Sequence, residues 1–340
     1  MLNLKIEFEQ MIQELKSQNE SEVYKLNVLT YENPIMFAGI DPVNHHRQLY
    51  IDLGTEGWDE EQENALPKWR GMSVKVEYLE KLSLLKEHHF LVIRQEDEQS
   101  PEIFEVVLQN LAEHLVAAEE DSLFSTVYKV LDRWRTFFQR GGFKQLSEEQ
   151  QRGLFGELWF INEWLDKHPG QPPLIIEQWE GPTKGRIDFK GTRCGLEIKT
   201  VIEKLSKTIK ISNENQLKIN EAVSSIYIYI CFLEQSRTHG LSLQELAGQV
   251  RAKLAERSER IALIYSDLLT DLGFREEEYG NVLYFMEKTE VYEAGKDFPR
   301  LIKEHLPKGI SHVSYNIDLT HCSEYEKDPE TIYQMFRVEG

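Results

Sequence analysis

RIDFKGTRCGLEIKT, residues 186–200, is the stretch on which the reading of this chain turns. Two extended runs flank a turn bearing Gly191 and Gly195, the pattern of a β-hairpin. With the turn centred between Thr192 and Arg193, Asp188 lies directly opposite Glu197. Facing residues on antiparallel strands share a face, with Cβ atoms about 5 Å apart. Lys199 follows Glu197 at the strand period and points to that face too, while Leu196 and Ile198 point to the other. One face thus presents two carboxylates and an ammonium, and the other is apolar. Facing carboxylates repel unless a cation stands between them. Oxygen donors of this kind, completed by waters and phosphate oxygens, suit Mg²⁺. A lysine beside such an ion orients or deprotonates an attacking water and counters charge on a pentavalent phosphate. The same string also fits an exposed hairpin face with a cross-strand Asp–Lys or Glu–Lys pair, and the hairpin by itself leaves both readings open.

Upstream, Ser147 with Gln150 three residues on is a capping-box signature, opening a helix that runs to about Lys167, before Pro169-Gly170. Leu154, Leu158, Ile161 and Leu165 form its apolar stripe. Glu157 falls inside the apolar arc, between that stripe and Phe160/Trp164, where an ionised carboxylate is costly unless paired or metal-bound. A glutamate at the edge of the buried face, bridged to a lysine, is the plainer alternative. Gly153 and Gly156 leave room for another backbone to approach. Downstream come an apolar strand at 225–233, helical patterns at 242–255 and 258–272, a strand near 281–291 and another extended run at 312–319.

The N-terminal part has a different texture. After a helical start over the first ~20 residues, 23–94 alternates strands with Gly, Pro, Asn and Asp turns, and a helix follows at 101–118. The acidic cluster 119–121 sets the expected boundary, giving a β-rich domain at 1–120 and a second domain at 121–340. The chain has 340 residues, 41% hydrophobic and 29% charged, which excludes a disordered or collagen-like polymer. Its longest apolar run, 226–233, is far short of the ~20 residues of a membrane span, and no secretory signal is visible. Cys194, Cys231 and Cys322 are too few and scattered for a disulfide framework or zinc knuckle, so a reduced, cytoplasmic protein is expected.

The net charge of −19 repels nucleic acid at long range, yet residues 184–218 hold nine basic against four acidic residues, a strip of +5. Lys184, Arg186, Lys190, Arg193, Lys207 and Lys210 are its candidates for phosphate contact. An ordinary solvated face would look similar. Trp134 and Phe137 beside Arg133 and Arg135 could stack on bases, although core packing accounts for them better. Nucleotide P-loop, H-E-x-x-H, C-x2-C and G-x-S-x-G patterns are absent, and the adjacent pairs His45-His46 and His88-His89 would point to opposite faces of a strand.

A helix glutamate, then an aspartate, then Glu-x-Lys on a hairpin, then an apolar strand resembles the core of the PD-(D/E)XK nuclease superfamily. GLFGELWFINEWL, WEGP, RIDFKG, LEIKTV, ISNENQL and the distal FPRLIKEHLPKGI and VSYNIDL resemble a bacterial group of PD-(D/E)XK family members found among phage-defence and restriction genes. The likeness spans most of the chain, with its landmarks between about 147 and 319. It implies an α/β fold: a restriction-endonuclease-like mixed sheet flanked by helices, carrying the β-rich N-terminal domain. It matches Glu157 to the helix carboxylate, Asp188 to the hairpin aspartate, Glu197 to the variable acidic position and Lys199 to the lysine. Gln216 falls where related nucleases often place an assisting glutamine, and Ile187 replaces the usual proline before the aspartate. The implied function is Mg²⁺-dependent hydrolysis of DNA phosphodiesters, with Mn²⁺ able to substitute, inside an anti-phage or restriction system. Asp188, Glu197 and Glu157 would hold the metal, Lys199 would position the nucleophile and Gln216 would assist. Partners of that setting are ATPase or methyltransferase subunits, and a homo-oligomer is compatible with it. The competing class is a non-catalytic assembly or DNA-recognition subunit that retains the nuclease scaffold, and an RNA-processing enzyme is a third.

Overall fold

The computed structural model describes residues 2–18, 25–30, 34–96, 101–118, 122–171, 173–183, 185–202, 207–221 and 223–336. The chain divides into two compact units, residues 1–142 and 143–340.

The first unit runs α1 (Leu4–Gln18), β1 (Lys25–Thr30), β2 (Met36–Ile40), β3 (Arg47–Gly54), α2 (Glu60–Ala65), β4 (Met72–Leu82), β5 (Leu85–Gln95), α3 (Pro101–Ala117) and α4 (Leu123–Gln139). Its five strands form one antiparallel sheet in the order β1-β2-β3-β5-β4. Leu4, Phe8, Met11 and Leu15 recur at helical spacing, and the first three are wholly buried. The unit ends at Gly142 rather than near 120, because α4 is tied to α3. Trp134 Nε1 and Arg133 Nη2 both donate to Asn110 Oδ1, at 3.1 and 2.8 Å. Trp134 and Phe137 are core residues, as their helical spacing suggested. Gly141, at φ 103°, takes the left-handed conformation that closes α4.

The second unit comprises α5 (Glu148–Lys167), β6 (Phe189–Lys190), β7 (Cys194–Val201), β8 (Thr208–Ile211), β9 (Ser225–Ser236), β10 (Leu241–Ser242), α6 (Leu243–Ala255), α7 (Glu259–Asp271), β11 (Leu283–Glu293), β12 (Tyr315–Asp318), β13 (Glu326–Lys327) and α8 (Pro329–Met335). The sheet order is β10-β11-β9-β7-β6, with β13 added on β11, and β8 pairs with β12 as a separate ribbon. The central pair β7–β9 is parallel and its neighbours antiparallel, a mixed sheet as the resemblance implies.

β9 is the keystone because both its faces are covered, which is why its sequence is a continuous apolar run. Tyr229, Cys231 and Leu233 pack with Leu158, Phe160, Ile161 and Trp164 of α5. Ile228, Ile230 and Phe232 pack on the opposite side with Ile209, Ile211, Leu217 and Ile317. Burying each such side chain contributes about 1.5–3 kcal/mol, so this strand alone commits the sheet to two flanking layers. α5 begins where its capping box says: Ser147 Oγ accepts the Gln150 N–H, and Gln150 Oε1 accepts the Ser147 N–H.

The first extended run of the 186–200 hairpin is shorter than its sequence suggests. Residues 174–183 are mostly turns, and β6 contributes only two residues to the ladder. The carbonyl of Asp188 accepts from Glu180 and Gly181 N–H, so the chain before it folds back on itself instead of extending. Among the described residues no helix is long and apolar enough to cross a membrane.

Candidate active site

β6 and β7 pair Phe189 with Leu196 and Lys190 with Gly195, the register that sets Asp188 against Glu197. Asp188 lies just before the ladder. Its backbone N–H donates to the Leu196 carbonyl at 3.1 Å, and its side-chain Oδ2 accepts the Ile198 N–H at 2.7 Å. This bond holds the carboxylate over β7 between Glu197 and Lys199. Leu196 and Ile198 enter the core under α5, as strand alternation requires, while Glu197 and Lys199 face the other side.

Glu197 is 2% exposed. Its Oε1 accepts from Lys199 Nζ at 2.8 Å and from Gln216 Nε2 at 2.5 Å. Its Oε2 is buried without a hydrogen-bond partner. Gln216 is held in turn by its own Oε1, which accepts the Ser212 N–H at 2.9 Å. Glu157 reaches the cluster from α5, and Trp179 Nε1 donates to its Oε2 at 2.5 Å. The helix comes close because Gly156 lies against Thr200 and Ile198: a Cβ there would sit 2.8 and 3.0 Å from their methyl carbons. Gly153 plays no such part and faces open space.

The electrostatics follow from burial. Desolvation, then the charge of Asp188, pushes Glu197 up to about 8 against the pull of Lys199. Glu157 is raised well above the carboxylate range by burial and by Asp188, with the Trp179 bond opposing. Asp188 is raised by burial and partly restored by the Ile198 N–H. Burial disfavours the Lys199 charge, but Glu197 first and then Asp188 and Glu157 outweigh it, so the ammonium stays protonated. The four groups therefore form one electrostatic unit, short of positive charge.

Hard oxygen donors with raised proton affinity and one unpartnered buried oxygen fit a divalent cation. Among the described residues no three His, Cys, Asp or Glu side chains are grouped as a ready metal cage. Mg²⁺ is commonly held by one or two carboxylates with waters and substrate phosphates making up the rest, so Asp188 and Glu197 are the pair that fits it, with Glu157 set back on Trp179.

The expected phosphate contacts are more dispersed. Lys184 lies outside the described residues. Arg186 Nη1 donates to the carbonyls of Asn215, Gln216 and Lys218 at 2.9, 3.2 and 2.6 Å, so it braces the turn that carries Gln216. Lys190 Nζ is 3.9 Å from Glu180, and Lys207 Nζ donates to Glu290 at 3.1 Å. Arg193 and Lys210 are exposed.

Trp179 and Gly181 were missed as site residues although WEGP stood out as a landmark. A Cβ on Gly181 would meet Glu157 Oε2 at 2.2 Å, so a side chain there would push the carboxylate out of its present place. Lys288 was missed as well. Its ammonium and the Tyr292 hydroxyl both reach Glu290, the partner of Lys207, and it lies 4.6 Å from the centre of the Phe232 ring.

The sequence profile of one family, described as "Putative PD-(D/E)XK family member, (DUF4420)", matches residues 8–320, and the chain belongs to that family. No curated protein and no solved structure matches it.

Proposed function

With membership of this family as the premise, we propose that the chain is a Mg²⁺-dependent endonuclease that hydrolyses DNA phosphodiesters, Mn²⁺ being able to replace Mg²⁺. The observation that carries the proposal is the buried, unpartnered Oε2 of Glu197 beside Asp188 and the protonated Lys199. A non-catalytic core would leave that oxygen uncompensated at a cost of about 1–3 kcal/mol.

Asp188 and Glu197 would hold the metal, with Glu157 joining through water. When bound, Mg²⁺ would supply a Lewis acid for a phosphate oxygen and ease ionisation of an attacking water. The chain's own residues do the rest. Lys199, kept charged by its carboxylate neighbours, orients the water and stabilises negative charge growing on phosphorus. Gln216 fixes Glu197 Oε1 and so aims Oε2. Trp179 holds Glu157 at the edge of the cluster.

Bacterial defence or restriction, with ATPase or methyltransferase partners, is the setting proposed on the strength of the family likeness. A second reading, an assembly or recognition subunit on the same scaffold, draws on the net charge of −19 and on the lack of a three-carboxylate cage among the described residues.

The test uses purified full-length chain, with its operon partners where required, on plasmid DNA with Mg²⁺ or Mn²⁺. Cutting should appear, vanish on chelation, and fall by about 10²–10³ in Lys199→Ala. Asp188→Ala should also abolish it. Asp188→Ala should melt at or above the wild-type temperature, since it removes one of several repelling carboxylates, whereas Lys199→Ala, which strips the buried Glu197 of its cation, should melt lower. A Lys199→Ala protein that cuts at the wild-type rate would sink the assignment, and metal binding without cutting under any condition would favour the second reading.

A further inference from the structure

The first unit carries 26 acidic against 14 basic residues, yet one cavity in it reverses that charge. It encloses about 610 Å³ between the β3–β4 connection and the helices α3 and α4. That volume lies within the range of small-molecule sites, about 300–1,000 Å³. Trp69 and Phe138 form an aromatic wall, their ring centres 5.5 Å apart and tilted by 46°. Phe138 is backed by the buried Trp134 at 5.6 Å, so the wall is anchored in the core.

Three cations line the same cavity: Lys68, Arg70 and Arg135. Arg135 is paired with Asp132. Lys68 and Arg70 are exposed and have no ion-pair partner among the described residues. Gln95, 4% exposed, also borders the cavity, its Oε1 accepting the Arg47 N–H at 3.2 Å. Gly71, at φ 91°, gives the turn after Arg70 a conformation that favours glycine, and its carbonyl is held by the Glu96 N–H at 2.9 Å. The segment bearing Trp69 and Arg70 is therefore pinned at its end.

An aromatic wall takes a planar ring, and every nucleobase has a π-face to lay against it. Unpaired guanidinium and ammonium groups beside it take a phosphate. We infer that this cavity is a nucleotide site, with the base against Trp69 and Phe138 and the phosphate on Arg70 and Lys68. The inference concerns the first unit alone and stands without the catalytic reading. The nucleotide has two sources, a free mononucleotide or a single base turned out of a strand.

The experiment is calorimetric titration of the full chain with each 2′-deoxynucleoside 5′-monophosphate, with the nucleosides and with inorganic phosphate. At least one mononucleotide should bind tenfold or more tightly than its nucleoside and than phosphate. Arg70→Glu should weaken it at least tenfold, Trp69→Ala likewise, and Trp69→Phe should stay within about threefold. Asp188→Asn should leave this binding intact while cutting is lost, so the two sites fail separately. Displacement of the mononucleotide by an oligonucleotide with one unpaired base assigns the strand as the source, and failure to displace assigns the free nucleotide. No detectable mononucleotide binding, equal affinity for phosphate and mononucleotide, or wild-type binding in Arg70→Glu or in Trp69→Ala overturns the inference.

Discussion

The two oxygens of Glu197 are unequal: one is saturated by Lys199 and Gln216, and the other is buried with no partner. Its proton affinity, pushed up to about 8, then makes pH the natural probe of the site. A cation must displace that proton, so Mn²⁺ affinity should rise by about tenfold per pH unit up to about pH 8 and level off above it. Stability without metal should run the other way. A carboxyl whose folded value lies above its unfolded value of about 4.5 binds more protons when folded, so its contribution is full below pH 4.5 and is lost as pH rises through 8. Thermal melts from pH 5 to 9 should show that decline, and Glu197→Gln should make it shallower, leaving the share of Glu157 and Asp188, and remove the stabilisation by Mn²⁺. An unchanged slope in Glu197→Gln would mean another group titrates. Trp179 offers a second residue-scale test. Its indole N–H favours ionised Glu157, so Trp179→Phe should move the acid limb of the activity profile to higher pH. A merely structural role would lower the rate at every pH and leave the limb in place.

At the scale of the element, the contact of α5 with β7 sets the distance from Glu157 to the hairpin. Gly156→Ala would thrust a methyl against Thr200 and Ile198 at the separations of a clash, and such overpacking typically costs 1–3 kcal/mol. The variant should melt lower and lose activity beyond its loss of folded fraction, because Glu157 moves with the helix. Activity per folded molecule equal to wild type would show that the site tolerates the shift. These elements also show what a sequence discloses. α5, its cap and β9 were readable because local spacing and two-sided burial write themselves into the order of residues. The facing of Asp188 and Glu197 was readable because a tight turn fixes register. β8 was not, since a four-residue strand finds its partner in β12, where Ile209 meets Ile317. Arg186 was read as a phosphate contact, but three carbonyls of the loop at 215–218 capture it, and no local pattern announces a long-range cap. The Trp179–Glu157 bond was hidden for the same reason.

Over the whole molecule, charge sets how the proposed nuclease would meet DNA. The first unit carries a net −12 and the second −7, so positive potential is confined to small areas. Of the cations expected to touch phosphate, Arg186 is committed to carbonyls, Lys207 shares Glu290 with Lys288, and Lys190 stands near Glu180. Arg193 and Lys210 are exposed, and Lys190 and Lys207 are half-exposed enough to contribute. Two to four phosphate contacts at about −0.9 each give a slope of log K against log salt of roughly −2 to −4. Binding of that kind is weak at physiological salt, with non-specific dissociation constants of about 10⁻⁴–10⁻⁶ M. We therefore propose that a partner subunit delivers the chain to DNA and that the acidic first unit is where the partner docks. Fluorescence anisotropy of a labelled duplex, titrated between 50 and 200 mM salt with isolated chain and Ca²⁺ in place of Mg²⁺, measures both quantities. A slope near −5 or steeper would mean that Arg186 too leaves its carbonyl partners for phosphate. Nanomolar binding at the upper salt limit would mean that the chain finds DNA unaided, and the need for delivery would be gone.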